Sequence, residues 1–246
     1  MIRIVTWNIQ LGRCLPVILE GVEKLPPFDV LALQELSEHA GEHDAATIAR
    51  QLGRAWRSAQ ATAQFLRGQH QANGFVWNTE RLTALNVSSI GLPTPTGRMM
   101  RRLPGSRRNA AMLEGRLDGH TLRLYSVHLD VFGITHKHAQ FARVMADARE
   151  RQPADLTIVA GDLNTYGVAG RPRWNALRRL AEEADFQELT TGIGWTQRGL
   201  GVRQKLDGIF MSPTGLRHRR QRVLLPGSDH IPIWAELPLA ATHLFA

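Results

Sequence analysis

The feature that most constrains this chain is a set of short apolar runs, each ending in a residue able to do chemistry. Residues 2–7 end at Asn8, and residues 30–33 end at Gln34-Glu35. Residues 122–127 end at His128, and residues 156–160 end at Gly161-Asp162. Short β-rich apolar runs of this kind read as buried strands. A buried strand has a definite end, so the polar residue that follows it is placed rather than scattered. An amide, carboxylates and an imidazole gathered at one edge of a sheet are the parts a metal-assisted phosphoryl hydrolase needs.

Six segments carry this pattern in order: Thr6-Trp7-Asn8, Leu33-Gln34-Glu35, Ser126-Val127-His128, Gly161-Asp162-Leu163-Asn164, Lys205-Leu206-Asp207 and Ser228-Asp229-His230. Taken singly they are common, and Asp-x-Asn after a strand is also an ordinary turn. Taken together, their order and spacing resemble the endonuclease/exonuclease/phosphatase superfamily, the deoxyribonuclease I-like metal-dependent phosphoesterases. The resemblance runs over residues 4–233. It implies a four-layer α/β (α+β) sandwich, with two mixed β-sheets packed face to face and helices outside.

The resemblance also implies roles. Glu35 is the expected metal ligand, since a hard oxygen donor suits Mg²⁺ or Mn²⁺. Asn8 supports the metal site and Asp229 supports the metal through water. Asp162 orients or deprotonates the attacking water, and Asn164 presents its amide to the phosphoryl oxygen or to the same water. Asp207 and His230 form a pair in which the carboxylate fixes the imidazole's tautomer and raises its pKa. His128 donates to a phosphoryl oxygen. Some relatives carry an Asp two residues after the first Asn; here that position is Gln10, which argues against a carboxylate-rich two-metal site. The His128-Leu129 ending argues against the abasic-site endonuclease branch.

Between these segments the chain alternates strands and helices. Helices are expected over residues 16–25, 45–56, 136–151 and 173–183. Residues 74–78 and 82–90 look like paired strands around Thr79-Glu80-Arg81. Residues 109–117 and 121–129 form a hairpin around Asp118-Gly119, a turn signal. Residues 204–211 and 231–237 close the sheets. No linker or repeat divides the motifs, so residues 1–246 read as a single domain.

Composition narrows the class of partner. The formal net charge is +8, and lysine occurs only at Lys24, Lys137 and Lys205, so arginine carries nearly all the positive charge. Arginine suits bidentate phosphate contacts, and the net field favours polyanions. Nucleic acid is the expected partner, with a phospholipid or a small phosphorylated metabolite as the alternative substrate. Arg98, Arg101, Arg102, Arg107 and Arg108 fall in one long loop, and Arg217, Arg219, Arg220 and Arg222 precede Ser228. Arg108 is a candidate phosphate contact, and Trp174 and Trp195 are candidates to stack on a base. The single Cys14 excludes an internal disulfide. No apolar h-region or membrane span is evident, which fits a cytoplasmic, monomeric protein. A non-catalytic binding module on the same fold would be expected to have lost some of these side chains, and all are present.

Overall fold

The computed structural model describes residues 1–66, 68–94, 107–131, 133–167, 170–199 and 201–239. In chain order the strands are β1 (Ile2–Asn8), β2 (Val30–Leu36), β3 (Glu38–His39), β4 (Glu42–His43), β5 (Trp56–Leu66), β6 (Gln69–Asn78), β7 (Thr83–Gly91) and β8 (Asn109–Leu117). They continue with β9 (His120–His128), β10 (Leu156–Asp162), β11 (Gln187–Glu188), β12 (Gln197–Gly199), β13 (Val202–Gln204), β14 (Asp207–Ser212), β15 (Arg219–Arg222) and β16 (Ile233–Leu237). The α-helices are α1 (Leu15–Glu23), α2 (Asp44–Leu52), α3 (Ile134–Glu150) and α4 (Gly170–Glu183).

Two six-stranded sheets form the centre, ordered β15-β16-β1-β2-β6-β5 and β11-β14-β10-β9-β8-β7. Each contains a single parallel pair, β1 with β2 and β9 with β10, flanked by antiparallel neighbours. The expected mixed sheets are therefore present. Strands of the two parallel pairs are buried on both faces, which is why they read as near-continuous apolar runs. Ile4, Ala32, Leu124 and Ile158 point into the core between the sheets. Val5, Leu31 and Leu33 pack outward with Ile18, Val22 and Ile48 of α1 and α2. Tyr125, Val127 and Val159 pack outward with Phe141, Val144 and Leu177 of α3 and α4. These are the four layers the resemblance implied.

The register aligns the functional ends. Asn8 stands opposite Gln34 in the first parallel pair, and Asp162 stands opposite His128 in the second. Asp162 also faces Asp207 across the antiparallel neighbour β14. In open α/β sheets the carboxyl ends of parallel strands are where ligands bind, and here two such ends meet.

Two expectations are corrected. Residues 74–78 and 82–90 do not pair with each other: β6 lies between β2 and β5, whereas β7 pairs with β8 in the other sheet. The polar turn at Thr79–Arg81 is where the chain crosses between sheets. The helix expected to reach residue 56 ends at Leu52, because Gly53 takes φ +108° and Trp56 opens β5. Among the described residues, no helix is long and apolar enough to cross a membrane.

Candidate active site

The sheets are glued by apolar contacts over most of their facing area and by polar ones at the end where the motifs meet. Gln34 Nε2 donates to Ser126 Oγ at 2.9 Å, and Ser126 Oγ donates to the Leu33 carbonyl at 2.8 Å. Asn73 Nδ2 donates to the Asn109 carbonyl at 2.8 Å, joining β6 to β8. Asn73 is thus a buried clamp between the sheets.

Asp162 is the hub. Its Oδ2 accepts from Asn8 Nδ2 at 3.0 Å and its Oδ1 from the Asn164 backbone N–H at 2.8 Å. His128 Nε2 lies 3.6 Å from Oδ2 on one side, and His230 Nε2 lies 3.7 Å from it on the other. Only Gly serves at 161, just before it: φ there is +147°, and an added Cβ would sit 1.9 Å from the Val127 carbonyl oxygen. Burial pushes the Asp162 carboxyl up to about 7; His230 opposes that shift and Asp207 adds to it.

Glu35 reaches the site through a bulge. Leu33 and Leu36 both pack on the α1–α2 side although they are three residues apart, and the pairing of β2 with β6 shifts between them. Glu35 is in this extra stretch, with φ +50°. Bulges re-aim side chains, and left-handed non-glycine residues concentrate at functional sites. Glu35 Oε1 comes to 3.5 Å from His128 Nε2. Burial holds its carboxyl above the ordinary range, against the pull of His230, the Asn8 amide and Arg108.

The two imidazoles differ in charge. Both Asp207 oxygens flank His230 Nδ1, at 2.8 and 3.0 Å. Burial alone would depress His230, but Asp207 and Asp162 overcome it and push the ring up to about 10. His128 is fully buried, and burial, Arg108 and His230 all hold it well below the usual histidine range. Its Nδ1 lies 3.0 Å from Arg108 Nη1. A guanidinium only donates, so Nδ1 accepts and the proton of neutral His128 sits on Nε2, facing Glu35 and Asp162.

The remaining expected residues fall into place differently. The ligand atoms of Asp162, Asp207 and His230 lie within 4.8 Å of one another. Asp229 stands outside that cluster, half-buried, its Oδ2 accepting from Gln197 Nε2 at 2.9 Å. Asn164 spends its amide on the Leu129 carbonyl at 2.7 Å. Arg108 is buried and bonds Gln71 and His128, so it enters the site as a partner of His128. Trp174 is a correction: its ring is buried on α4, stacks on Phe210, carries the Lys205 ammonium 4.2 Å over its face, and donates its indole N–H to Glu188. A ring packed this way presents no open face to a base. Trp195 is half-buried, with the Arg203 and Arg222 guanidiniums over it. Arg98, Arg101 and Arg102 lie outside the described residues. In the second cluster, Arg222 bonds the Trp195 carbonyl at 2.8 Å, and the exposed Arg219 lies 3.8 Å from Glu236.

One side chain escaped the sequence reading. Lys137 on α3 is buried, and its ammonium donates to the Asn164 carbonyl at 2.5 Å. Burial and Arg173 bring it down to about 8. Its only signal was rarity, as one of three lysines.

The sequence model of the Endonuclease/Exonuclease/phosphatase family matches residues 5–230. The chain belongs to this family. Members of the endonuclease/exonuclease/phosphatase family are phosphoester hydrolases that generally use divalent metals. Solved structures agree in fold. An endonuclease/exonuclease/phosphatase family protein from Leptotrichia buccalis C-1013-b superposes with a TM-score of 0.75 at 13% identity, covering 97% of this chain and 100% of that one. The mannosyl-6-phosphatase of Bacteroides thetaiotaomicron VPI-5482 gives 0.71 at 15% identity, over 97% and 100%. The human nocturnin catalytic domain with bound sulfate gives 0.73 at 17% identity, over 96% and 94%. No curated protein matches the sequence.

Proposed function

We propose that this protein is a Mg²⁺- or Mn²⁺-dependent phosphodiesterase that hydrolyses nucleic-acid phosphodiesters. The observation that carries this reading is the buried Asp162 carboxylate, held between two imidazoles of opposite character. Carboxylates kept dry at the meeting of two sheets call for a compensating cation. Both Glu35 and Asp162 are held above their ordinary range by burial, and both offer hard oxygen donors. Of the two, Glu35 would hold the ion, with Asn8 beside it orienting Asp162 and with Asp229 at the margin. When bound, the ion supplies charge neutralisation on the phosphoryl oxygens.

The side chains divide the remaining work. Asp162 aligns the attacking water and takes its proton. His230, an imidazolium at neutral pH, donates from Nε2 to a phosphoryl oxygen, with Asp207 holding the ring. His128 donates from Nε2 as a neutral imidazole. Asn164 fixes Asp162 through its backbone N–H. The substrate assignment rests on the net charge of +8, carried almost entirely by arginine. A small phosphorylated metabolite is the second reading, supported by the likeness to the mannosyl-6-phosphatase. The deciding experiment is cleavage of labelled single- and double-stranded oligonucleotides in Mg²⁺, with EDTA and Asp162→Asn protein as controls. Cutting that needs both the metal and Asp162 supports the reading. Cutting that persists in EDTA refutes the metal mechanism. Turnover confined to small phosphate esters favours the second reading.

A further inference from the structure

Strands β12 and β13 form a two-stranded hairpin in which Arg198 stands directly opposite Arg203. Both side chains are exposed, and among the described residues neither belongs to an ion pair. Like charges placed opposite one another across an antiparallel pair repel, so the arrangement costs stability when empty. Arg203 is nevertheless held in place: its guanidinium lies 4.8 Å from the centroid of the Trp195 ring. A guanidinium stacked on an aromatic face keeps its N–H edge available for a planar or tetrahedral anion.

The hairpin is tied to the active site rather than loosely appended. The Arg198 backbone N–H donates to the Asp229 carbonyl at 2.8 Å, and Gln197 Nε2 grips the Asp229 carboxylate at 2.9 Å. Thr196 Oγ1, just before the hairpin, accepts from the Leu206 and Asp207 N–H groups at 3.0 Å each. A cavity of about 730 Å³ opens between this hairpin and residues 224–231. Arg198, Arg203, Trp195, Ser228 and Asp229 line it, so two cations face one carboxylate that is already engaged.

We propose that Arg198 and Arg203 form a second phosphoryl-binding subsite, which takes a phosphate flanking the one that is hydrolysed. The inference rests on the phosphoesterase reading above and sharpens it, because it selects substrates carrying at least two phosphoryl groups. The flanking phosphate is either the next one along a polynucleotide strand or the second one of a small bisphosphate.

The test compares wild type with Arg198→Gln/Arg203→Gln protein on three substrates: bis-p-nitrophenyl phosphate, a thymidine trinucleotide, and an alkane-1,3-diol bisphosphate. The double variant is expected to raise KM for the trinucleotide at least tenfold, with kcat/KM on bis-p-nitrophenyl phosphate held within threefold. A selective loss on the bisphosphate instead supports the subsite and assigns the small-molecule source. Equal losses on all three substrates, or none, overturn the proposal. If wild type cleaves none of them, the function reading fails on its own. Calorimetric titration with inorganic pyrophosphate then decides the subsite: binding lost in the double variant supports it, and unchanged binding overturns it. Thermal melting controls for folding, and relief of the like-charge pair is expected to hold or raise the double variant's Tm.

Discussion

Arg108 donates from Nη1 to Nδ1 of His128 at 3.0 Å, and both side chains are buried. Because arginine has no acceptor, this bond sets the tautomer of His128 and aims its only proton at Glu35 and Asp162. Replacing Arg108 with Met removes the donor and leaves Nδ1 buried without it. The ring also loses a neighbouring cation that keeps it neutral, so neither its orientation nor its charge is fixed any longer. Turnover is expected to fall about ten- to hundredfold in Arg108→Met, and Arg108→Lys, which can still donate, is expected to recover part of it. Long-range ¹H–¹⁵N spectra of the histidines check the cause. A wild-type His128 already protonated on Nδ1 would refute this account.

His230 is held as the charged imidazole of the site. Its folded pKa of about 10 exceeds the roughly 6.5 of an unfolded histidine. Its contribution to stability is therefore fully present below about 6.5 and is lost as pH rises through about 10. Asp207→Asn removes the closest carboxylate, so the variant is expected to be less stable than wild type at pH 6, with the gap narrowing above pH 10. Urea denaturation of metal-free protein at pH 6, 8 and 10.5 measures it; a gap independent of pH contradicts the assignment.

How much of this was readable beforehand depends on which forces fix each part. Asn8, His128 and Asp162 were legible because their strands are buried on both faces, and an apolar run advertises its own end. β5 was missed because an edge strand built as Trp-Arg-Ser-Ala-Gln-Ala-Thr-Ala-Gln carries small and polar residues where buried strands carry Val and Ile. The crossing at Thr79–Arg81 looked like a hairpin because strand pairing across a turn is the local default, and only sheet packing overrides it. The bulge at Glu35 has no local signature. Arg108 and Lys137 acquire their roles from partners 20 and 27 residues away, and no spacing rule reaches that far.

Gly161→Ala tests whether the close approach of β10 to β9 is required. The added methyl meets the Val127 carbonyl oxygen at 1.9 Å, at a φ of +147°. Overpacking and left-handed strain together are expected to cost about 3 kcal/mol or more. Denaturation midpoints of wild type and variant measure it directly, and a loss below about 1 kcal/mol would mean that the strands part easily.

Asp162 should show stability traded for activity. Its carboxyl is raised by burial to about 7, against roughly 3.9 in the unfolded chain. A raised carboxyl favours the folded state while it is protonated, so that contribution is fully present below about 3.9 and is lost as pH rises through about 7. Asparagine at 162 keeps the shape and never carries the charge. Metal-free Asp162→Asn is therefore expected to melt higher than wild type at pH 8, with the two curves converging near pH 4. The same substitution removes the group that takes the water's proton, so turnover in Mg²⁺ is expected to fall at least a hundredfold. Melting scans across pH and steady-state hydrolysis on one preparation read both effects. A variant that loses activity without gaining stability at pH 8 would mean that His230 already neutralises the carboxylate's burial.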